Sequence, residues 1–204
     1  QEFASTRYDG EIADIEEKSE EMCNKEFSLM PHQTFVRNFL SLDTPYNALL
    51  LFHGLGSGKT CSAIGIAEEA RQYQKQISNV KTKTLFSGKI CIVASPSVQK
   101  NFRLQLFDQR KLKQVNGQWN LHTCVGENFL HEINPMNIKN QSYEKVVNTI
   151  QSIINDSYVF IGYRELTNKL YKVIHPQNES KDEAQNEKIR EKRIRKYIDN
   201  SLFI

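Results

Sequence analysis

The sequence is poor in the residues that build metal sites and cross-links, and it has no long hydrophobic run. Its four cysteines, Cys23, Cys61, Cys91 and Cys124, lie far apart, form no C-x-x-C pair and have no clustered histidines beside them. This spacing fits neither a zinc site nor a dense disulfide scaffold, so a reducing compartment is the simpler inference. No apolar run approaches the roughly 18 residues of a membrane span, and residues 1–10 show no signal-peptide pattern. We therefore expect a soluble, intracellular protein without a membrane partner.

The sequence also lacks a large excess of either positive or negative charge. The 27 Lys and Arg residues against 24 Asp and Glu residues give a net charge of +3 over 204 residues. No global field therefore draws the chain to nucleic acid or to an anionic membrane, and any such contact has to come from local patches. With 39% hydrophobic residues, a chain of this length can bury a core. These values predict one α/β domain of generous size, or a domain with an extra lobe.

Both ends of the sequence suggest a piece of a longer protein. There is no initiating Met, and the last four residues, Ser201–Ile204, form an apolar run without a turn, a cap or a polar tail. A natural domain seldom ends in the middle of a buried strand. We expect the chain to be a fragment.

Hydrophobic patterns alternate between strand and helix periods along the chain. They predict buried strands at residues 48–53, 89–95, 121–125 and 158–163, and helices at 11–25, 31–42, about 59–74, 98–108, 143–154 and 165–174. This alternation indicates a mostly parallel sheet covered by helices on both faces. Residues 176–200 carry mixed charges at helical spacing, which is typical of a solvated helix; a basic ridge beside nucleic-acid phosphates is the alternative. The segment 117–140 has no assignment.

The stretch LLFHGLGSGKT, at Leu50–Thr60, predicts a phosphate cradle between a strand and a helix. Glycines let successive backbone N–H groups point inward, and the helix N-terminus adds partial positive charge. Lys59 should reach the β- and γ-phosphates, and Thr60 should offer its hydroxyl to Mg²⁺. The general pattern is G-x-x-x-x-G-K-[ST], and its first position is occupied here by histidine. The predicted nucleotide-binding residues of this loop are His53, Gly54, Leu55, Gly56, Ser57, Gly58, Lys59 and Thr60, with Lys59 and Thr60 in the catalytic roles.

These residues carry a resemblance to superfamily 2 helicases and related translocases, of the DEAD/DEAH-like and chromatin-remodeller-like kinds. HGLGSGKT looks like motif I of that superfamily, in which the leading position is often not glycine. Upstream, Leu29–Gln33 (LMPHQ) resembles the stretch whose glutamine reads adenine. Gln33 has an amide that donates and accepts at once, as the N6 and N7 edge of adenine requires. The resemblance thus implies an adenine nucleotide bound by Gln33 and the glycine loop.

Two strand ends extend the resemblance to nucleic-acid binding. Ile92–Ser97 (IVASPS) is similar to motif Ia, whose loop touches the nucleic-acid backbone, so Pro96 and Ser97 become predicted contacts. Ser97 also suits an ordinary helix cap, and both roles are compatible. Phe160–Leu166 (FIGYREL) looks like the T-Y-x-x-L strand end of remodeller-type and viral helicases, with Gly162 where threonine is usual. Tyr163 and Arg164 are then expected to line the nucleic-acid groove, while the contact of the missing hydroxyl is in doubt.

The resemblance covers roughly residues 27 to 204, and around the glycine loop it is most like helicases and transcription-linked ATPases of large DNA viruses, such as poxviruses and asfarviruses. It implies a three-layer RecA-like P-loop NTPase domain with a central, mostly parallel sheet at residues 27–204, after a helical lead-in at 1–26. In that family the next motif after Ile204 would be the acidic Asp-Glu-x-His.

The implied function is that of the first half of a motor that uses ATP and Mg²⁺ to move on DNA or RNA. It would contact the nucleic-acid backbone and work with a second RecA-like domain of the same parent chain. The fragment alone is expected to be inactive, and a viral parent would place it in the cytoplasm or the virion. Two alternatives remain open: a P-loop nucleotide or polynucleotide kinase, in which residues 181–196 serve as a lid, and a nucleotide-binding module without turnover.

Overall fold

Eight α-helices and five β-strands make up the part of the chain that the computed structural model describes, which is residues 14–24, 29–41, 44–77, 86, 88–125, 128–135, 141–175, 183–199 and 201–204. The helices are α1 (Ile15–Asn24), α2 (Pro31–Phe39), α3 (Lys59–Ile77), α4 (Pro96–Leu106), α5 (Asn128–Ile133), α6 (Tyr143–Ser157), α7 (Tyr163–Ile174) and α8 (Glu183–Ile198). The strands are β1 (Ile90–Val93), β2 (Leu112–Val115), β3 (Gln118–Leu121), β4 (Tyr158–Ile161) and β5 (Leu202–Phe203). The predicted α/β class is confirmed.

A parallel sheet of three strands has β1 at its centre, with β4 on one side and β5 on the other. Ile90 is paired with Tyr158 of β4 and with Leu202 of β5. The β1 side chains of Ile90, Cys91 and Ile92 are buried, as expected for a parallel strand with both faces covered. The predicted parallel sheet is confirmed for these three strands.

Residue contacts divide the chain into two units. The first contains the described residues of 1–69 and 103–150, and the second contains those of 70–102 and 151–204. In the second unit Phe86, Cys91 and Ile161 form a buried cluster against which Leu166 of α7 and Tyr197 of α8 pack. The rings of Phe86 and Tyr197 meet edge-on, with 5.2 Å between their centroids. Both helices therefore have one face toward the sheet.

In the first unit, α2 lies alongside the first turns of α3. Leu29 packs close to Gly65 of α3, where a built Cβ would lie 3.4 Å from Leu29 Cδ1, at ordinary contact distance. Further along, Arg37 Nε and the carboxylate of Glu69 are 3.4 Å apart. These contacts bring Gln33, which is buried on α2, to the beginning of α3.

A disulfide joins Cys61, the third residue of α3, to Cys124 in the turn after β3. Cys91 is a buried thiol. This bond is at odds with the inference of a reducing compartment, which rested on the wide spacing of the cysteines. Folding brings two residues that are 63 positions apart in sequence to a Cα separation of 5.2 Å, which their spacing in the sequence could not show.

The segment 117–140, which had no assignment, begins with β3, and this strand forms an antiparallel hairpin with β2 before it. Its turn residues, Asn116 and Gly117, have φ angles of 52° and 81°, as a two-residue Asn-Gly hairpin turn requires. Trp119 of β3 donates its indole N–H to the carbonyl of Gln141 at 3.0 Å. The predicted strand at 121–125 is wrong, because the hairpin ends at Leu121 and residues 123–125 form a bend and a turn.

The predicted strand at 48–53 is also wrong. These residues pair with no strand of the described sheets, and the side chains of Leu50 and Phe52 are 87% and 94% exposed. An apolar run becomes a strand only where a neighbouring backbone bonds its N–H and C=O groups, and here the run is an unpaired segment that leads into the glycine loop. The other predicted elements are confirmed within the described residues, with small shifts of the ends that lie there. Residues 11–13, 25 and 42 of the predicted helices lie outside the described part of the chain. The charged segment contributes α8.

Candidate functional site

The chain between His53 and α3 forms a tight loop. Gly56 and Gly58 have φ angles of +80° and +74°, in the left-handed region that L side chains rarely adopt. Ser57 donates its hydroxyl to the carbonyl of Gly54 at 2.9 Å, which closes the loop on itself. Leu55 is fully exposed at the tip, so only its backbone can contribute to a site at the base of the loop.

The first turn of α3 presents, beside this loop, backbone donors that have no acceptor within the helix. Its first internal hydrogen bond runs from the N–H of Ser62 to the carbonyl of Gly58 at 3.0 Å. The N–H groups of Lys59, Thr60 and Cys61 therefore have no carbonyl within the helix to bond. Donors of this kind, together with the helix dipole, favour an anion at the helix N-terminus.

The ammonium group of Lys59 folds back over the loop. It donates to the carbonyl of His53 at 3.0 Å and to the carbonyl of Gly54 at 2.7 Å. Both acceptors are neutral, and a hydrogen bond to an anionic oxygen is roughly twice as strong. The loop thus holds a cation at its mouth through bonds that an anionic ligand can replace.

Gln33 contacts the same loop from α2. Its Oε1 accepts from the N–H of Met30 at 2.9 Å, and its Nε2 donates to the carbonyl of Gly58 at 3.2 Å. A Cβ on Gly58 would overlap with Gln33 Nε2. The structure therefore brings the predicted adenine residue against the predicted phosphate loop, and a side chain at position 58 would displace the Gln33 amide.

A second residue of α2, which the sequence analysis did not single out, also reaches the loop. The Nε2 atom of His32 lies 2.9 Å from the carbonyl oxygen of Ser57. The His32 ring meets the His53 ring at a centroid distance of 5.9 Å, with the rings nearly perpendicular. His53 Nδ1 is buried and has no hydrogen-bond partner among the residues that the structure describes. The available signal was the position of His32, directly before Gln33 in the LMPHQ stretch.

Thr60 is the second residue of α3 and is partly buried. No group of three or more histidine, cysteine, aspartate or glutamate side chains that could hold a metal ion occurs within the described ranges. Thr60 could give Mg²⁺ one hydroxyl oxygen, and this ion commonly takes its other ligands from substrate phosphates and water. The residues present are compatible with a metal that arrives with a nucleotide.

The predicted nucleic-acid residues meet at one edge of the parallel sheet in the second unit. Val93 at the end of β1 is paired with Ile161 at the end of β4, and the N–H of Ala94 donates to the carbonyl of Ile161 at 3.1 Å. Because both strands run in the same direction, the residues that follow them lie at the same edge. Those residues include Pro96, Ser97, Tyr163 and Arg164, all of which are exposed.

Ser97 does not hold the cap position that was one of its two expected roles. The helix α4 begins at Pro96, and the carbonyl of Ser95 accepts its first bond from the N–H of Gln99 at 3.0 Å. Ser95 is therefore at the cap, with proline in the favoured first position. The hydroxyl oxygens of Ser95 and Ser97 lie 3.2 Å apart.

The buried thiol of Cys91 takes no part in chemistry at this edge. Burial raises the pKa of Cys91 to about 12, against a smaller opposing effect of the nearby Lys89 charge. A thiol with such a pKa stays protonated at neutral pH, and the thiolate is the nucleophile and metal ligand. Cys91 is a core residue.

The chain is related to proteins named as helicases in large DNA viruses. It is 40% identical over 75 residues to "Putative helicase 009L" of Frog virus 3 (isolate Goorha), a match that covers 37% of this chain. It is 26% identical over 159 residues, 77% of this chain, to "Putative ATP-dependent RNA helicase L377" of Acanthamoeba polyphaga mimivirus. It is also 28% identical over 138 residues to "Putative ATP-dependent RNA helicase R563" of the same virus.

The matched part is a small share of each of these relatives. It spans 7%, 12% and 19% of their lengths, respectively. No family model and no solved structure matches the chain. Separately, none of the helices in the described part of the chain is both long enough and apolar enough to cross a membrane.

Proposed function

We propose that the chain is the ATP-binding first RecA-like domain of a superfamily 2 helicase or translocase. The observation that carries the proposal is the contact of Gln33 with Gly58 beside the Lys59 ammonium. Gln33, which is suited to adenine, and Lys59, which is suited to phosphate, both bond carbonyl groups of the glycine loop. The relationship to the viral proteins named as ATP-dependent helicases supports the same conclusion. A three-layer RecA-like arrangement at residues 27–204, after a lead-in at 1–26, is part of this proposal.

The glycine loop acts as a P-loop in this proposal. The N–H groups at the start of α3 bind phosphate oxygens, and Lys59 leaves the carbonyls of His53 and Gly54 for the β- and γ-phosphates. Because the ammonium is already at the mouth of the loop, this change needs only side-chain rotation. His53 Nδ1, which is buried and has no partner in the described part of the chain, is a further group that a phosphate or a bridging water could satisfy.

Gln33 retains the capacity to read adenine while it holds the loop. Its amide oxygen has two lone pairs and its amide nitrogen two hydrogens, and one of each is used by Met30 and Gly58. The remaining acceptor and donor match the N6 amino group and the N7 atom of adenine. Guanine presents an acceptor in place of that amino group, so Gln33 favours ATP over GTP.

Mg²⁺ enters with the nucleotide in this proposal, and Thr60 supplies its protein hydroxyl ligand. When bound, the ion neutralises negative charge that develops on the phosphates during hydrolysis. Lys59 stabilises charge on the same phosphates, and the N–H groups of α3 orient them. In this proposal the acid that positions the attacking water is that of the family's Asp-Glu-x-His motif.

Nucleic acid binds at the sheet edge formed by Pro96, Ser97, Tyr163 and Arg164. The Ser97 hydroxyl and the Arg164 guanidinium are suited to backbone phosphates, which carry no sequence information. The proposal covers DNA and RNA equally. A second RecA-like domain of the parent chain would complete the ATP site, so this chain alone should bind nucleotide weakly and hydrolyse almost none.

A direct test is to titrate the chain with a fluorescent ATP analogue in the presence of Mg²⁺. Lys59→Ala should weaken binding at least tenfold, because a hydrogen bond to a charged group is worth about 1.5–3 kcal/mol. Lys145→Ala, the matched loss of one exposed lysine on α6, should have no effect. Competition with ATP and GTP should show an ATP preference that Gln33→Ala abolishes. Equal binding by the Lys59→Ala and Lys145→Ala variants would overturn the proposed site.

A further inference from the structure

The exposed face of α7 carries a stripe of basic, polar and aromatic side chains that continues from the proposed nucleic-acid edge. Its members recur at helical spacing and are all exposed; they are Arg164, Asn168, Tyr171, Lys172 and His175. We name this set the α7 stripe. The opposite face of the helix includes Leu166, which packs on the buried cluster around Phe86, so the orientation of the stripe toward solvent follows from the packing.

The charge of the α7 stripe suits a polyanion. It contains two permanent cations, Arg164 and Lys172, and no carboxylate. The acid of this helix, Glu165, lies beside the stripe and is paired with Lys169, with 3.2 Å between Nζ and Oε1. Arg164 and Lys172 are both exposed, so they would attract a polyanion, and salt should screen that attraction.

Tyr171 gives the stripe an aromatic surface. It is 62% exposed, and its ring lies against the His175 ring with 4.5 Å between centroids and an angle of 42°. Tyr163, at the start of the same helix, is 65% exposed. Exposed aromatic rings beside cations form the platforms on which unpaired bases stack while their phosphates meet positive charge. A base-paired duplex presents no free base face to such a ring.

We infer that the α7 stripe binds a single strand of nucleic acid, with a base stacked on Tyr171 and its backbone beside Lys172. This inference rests on the proposed function, because it extends the strand from Tyr163 and Arg164 along the helix. From Arg164 to His175 the helix rises about 16 Å at 1.5 Å per residue. That is the length of about five stacked nucleotides at roughly 3.4 Å each.

Fluorescence anisotropy with labelled single-stranded oligothymidylate and oligouridylate tests the inference on the 204-residue chain. Tyr171→Ala should weaken binding of the single strands roughly tenfold, within the range measured for base stacking. Tyr171→Phe should stay within about twofold of the unaltered chain, because the ring remains. Binding of a duplex of matched length should not change with Tyr171→Ala. If Tyr171→Ala weakens binding of both oligonucleotides equally, the stripe binds both DNA and RNA. If it weakens binding of only one, that oligonucleotide identifies the nucleic acid that is bound.

Salt dependence separates the charge from the ring. The plot of log K against log salt has a negative slope. Lys172→Ala should make it shallower by about 0.7, the value for one phosphate contact on a single strand. Tyr171→Ala should leave that slope unchanged. Lys188→Ala removes an exposed lysine of α8 that lies outside the stripe and should change neither affinity nor slope. Circular dichroism should show every variant folded, since the changed side chains are exposed.

Failure of the inference can be told from failure of the proposed function. If Arg164→Ala and Ser97→Ala weaken binding but the Tyr171 and Lys172 variants do not, the strand leaves the edge by another route and the inference is wrong. If Lys188→Ala weakens binding as much as Lys172→Ala does, the contact is diffuse charge attraction and the inference is also wrong. If the unaltered chain binds no single strand at about 50 mM salt, where such contacts are strong, both proposals fail.

Discussion

The amide nitrogen of Gln33 donates a hydrogen bond to the carbonyl of Gly58 in the space that a side chain at position 58 would occupy. Gly58 also has a φ of +74°. Glycine is therefore favoured here for two independent reasons: its backbone conformation, and the Gln33 amide that a side chain would displace. Gln33 is buried and Gly58 half-buried, so neither can move aside into solvent without breaking this contact.

Gly58→Ala is the first change that this contact makes informative. The left-handed backbone alone should cost about 1–2 kcal/mol of unfolding free energy, and the overlap with Gln33 should add to that. Gly54→Ala is the matched control, because a Cβ there meets nothing within 4 Å and its φ lies outside the left-handed region. Urea unfolding should show a clear loss for position 58 and little change for position 54.

A double variant separates the two causes of that loss. Adding Gln33→Ala to Gly58→Ala removes the overlap and leaves the backbone strain. The two changes should therefore destabilise less than the sum of their separate effects, as is usual for residues in contact. Strict additivity would show that the alanine side chain does not meet Gln33.

Periodicity predicted the elements that are amphipathic or centrally buried. The helix α6 has buried Val146, Val147 and Ile150 at helical spacing, and β1 and β4 are short apolar runs that pair in parallel. In these elements the burial needed to stabilise the fold is visible in the local sequence. Exact ends were less predictable, because caps and prolines decide them residue by residue.

Other features depend on what lies near a segment in space. The run at 48–53 has the composition of a buried strand, yet it pairs with no described strand, and most of its side chains are exposed. The pairing of Cys61 with Cys124 depends on a fold that brings distant residues together. The contact of Gln33 with the glycine loop could be expected only because a resemblance supplied it, since a lone glutamine carries no such signal.

The Cys61–Cys124 disulfide should contribute strongly to stability. It closes a loop whose ends are 63 residues apart, for which the chain-entropy relation gives about 4 kcal/mol. A dithiol reductant should therefore lower the melting temperature of the chain, because it converts the disulfide to two thiols and is itself oxidised to a disulfide.

The variant Cys61→Ser with Cys124→Ser provides the control for that experiment. Its melting temperature should be lower than that of the unaltered chain and should not change with reductant, since the variant has no Cys61–Cys124 disulfide to break. Because Cys61 directly follows Thr60, nucleotide affinity should fall along with stability when the bond is removed. A reductant effect of the same size in the double variant would show that the disulfide is not its origin.

Asp108 should titrate at an unusually low pH. The side chain of Arg110 donates to it through Nε and Nη2, both at 2.9 Å, and these bonds are the main reason that its pKa is lowered in the folded chain. A group with a lowered folded pKa contributes stability above its unfolded pKa, about 3.9. That stability is lost as the pH falls through the folded value.

Carboxyl carbon chemical shifts followed by NMR below about pH 5 would check this expectation. The Arg110→Gln variant should raise the pKa of Asp108 toward its ordinary value and flatten the acid dependence of stability. The backbone N–H of residue 110 still donates to Asp108 at 3.0 Å, so a small lowering should remain. An unchanged pKa in this variant would contradict the assigned cause.

Gly162 offers a test in which a hydroxyl is added instead of removed. It is the cap residue of α7, with φ −80° and ψ 156° and no side chain to bond the helix, and a Cβ there meets nothing within 4 Å. Gly162→Ser should accept from the N–H of Glu165 and stabilise the chain by a few tenths of a kcal/mol. The serine would also complete a capping box with Glu165 three residues on.

Gly162→Ala isolates the hydroxyl, because alanine restricts the backbone in the same way but cannot cap. It should be less stable than the serine variant by about 1 kcal/mol in thermal or urea unfolding. If the hydroxyl at this strand end also reaches a phosphate, Gly162→Thr should bind single-stranded oligonucleotides more tightly than Gly162→Ala does. If Gly162→Thr has a higher unfolding midpoint than Gly162→Ala but binds no more tightly, the position serves helix capping alone. The strand contacts would then be those of Ser97, Tyr163 and Arg164.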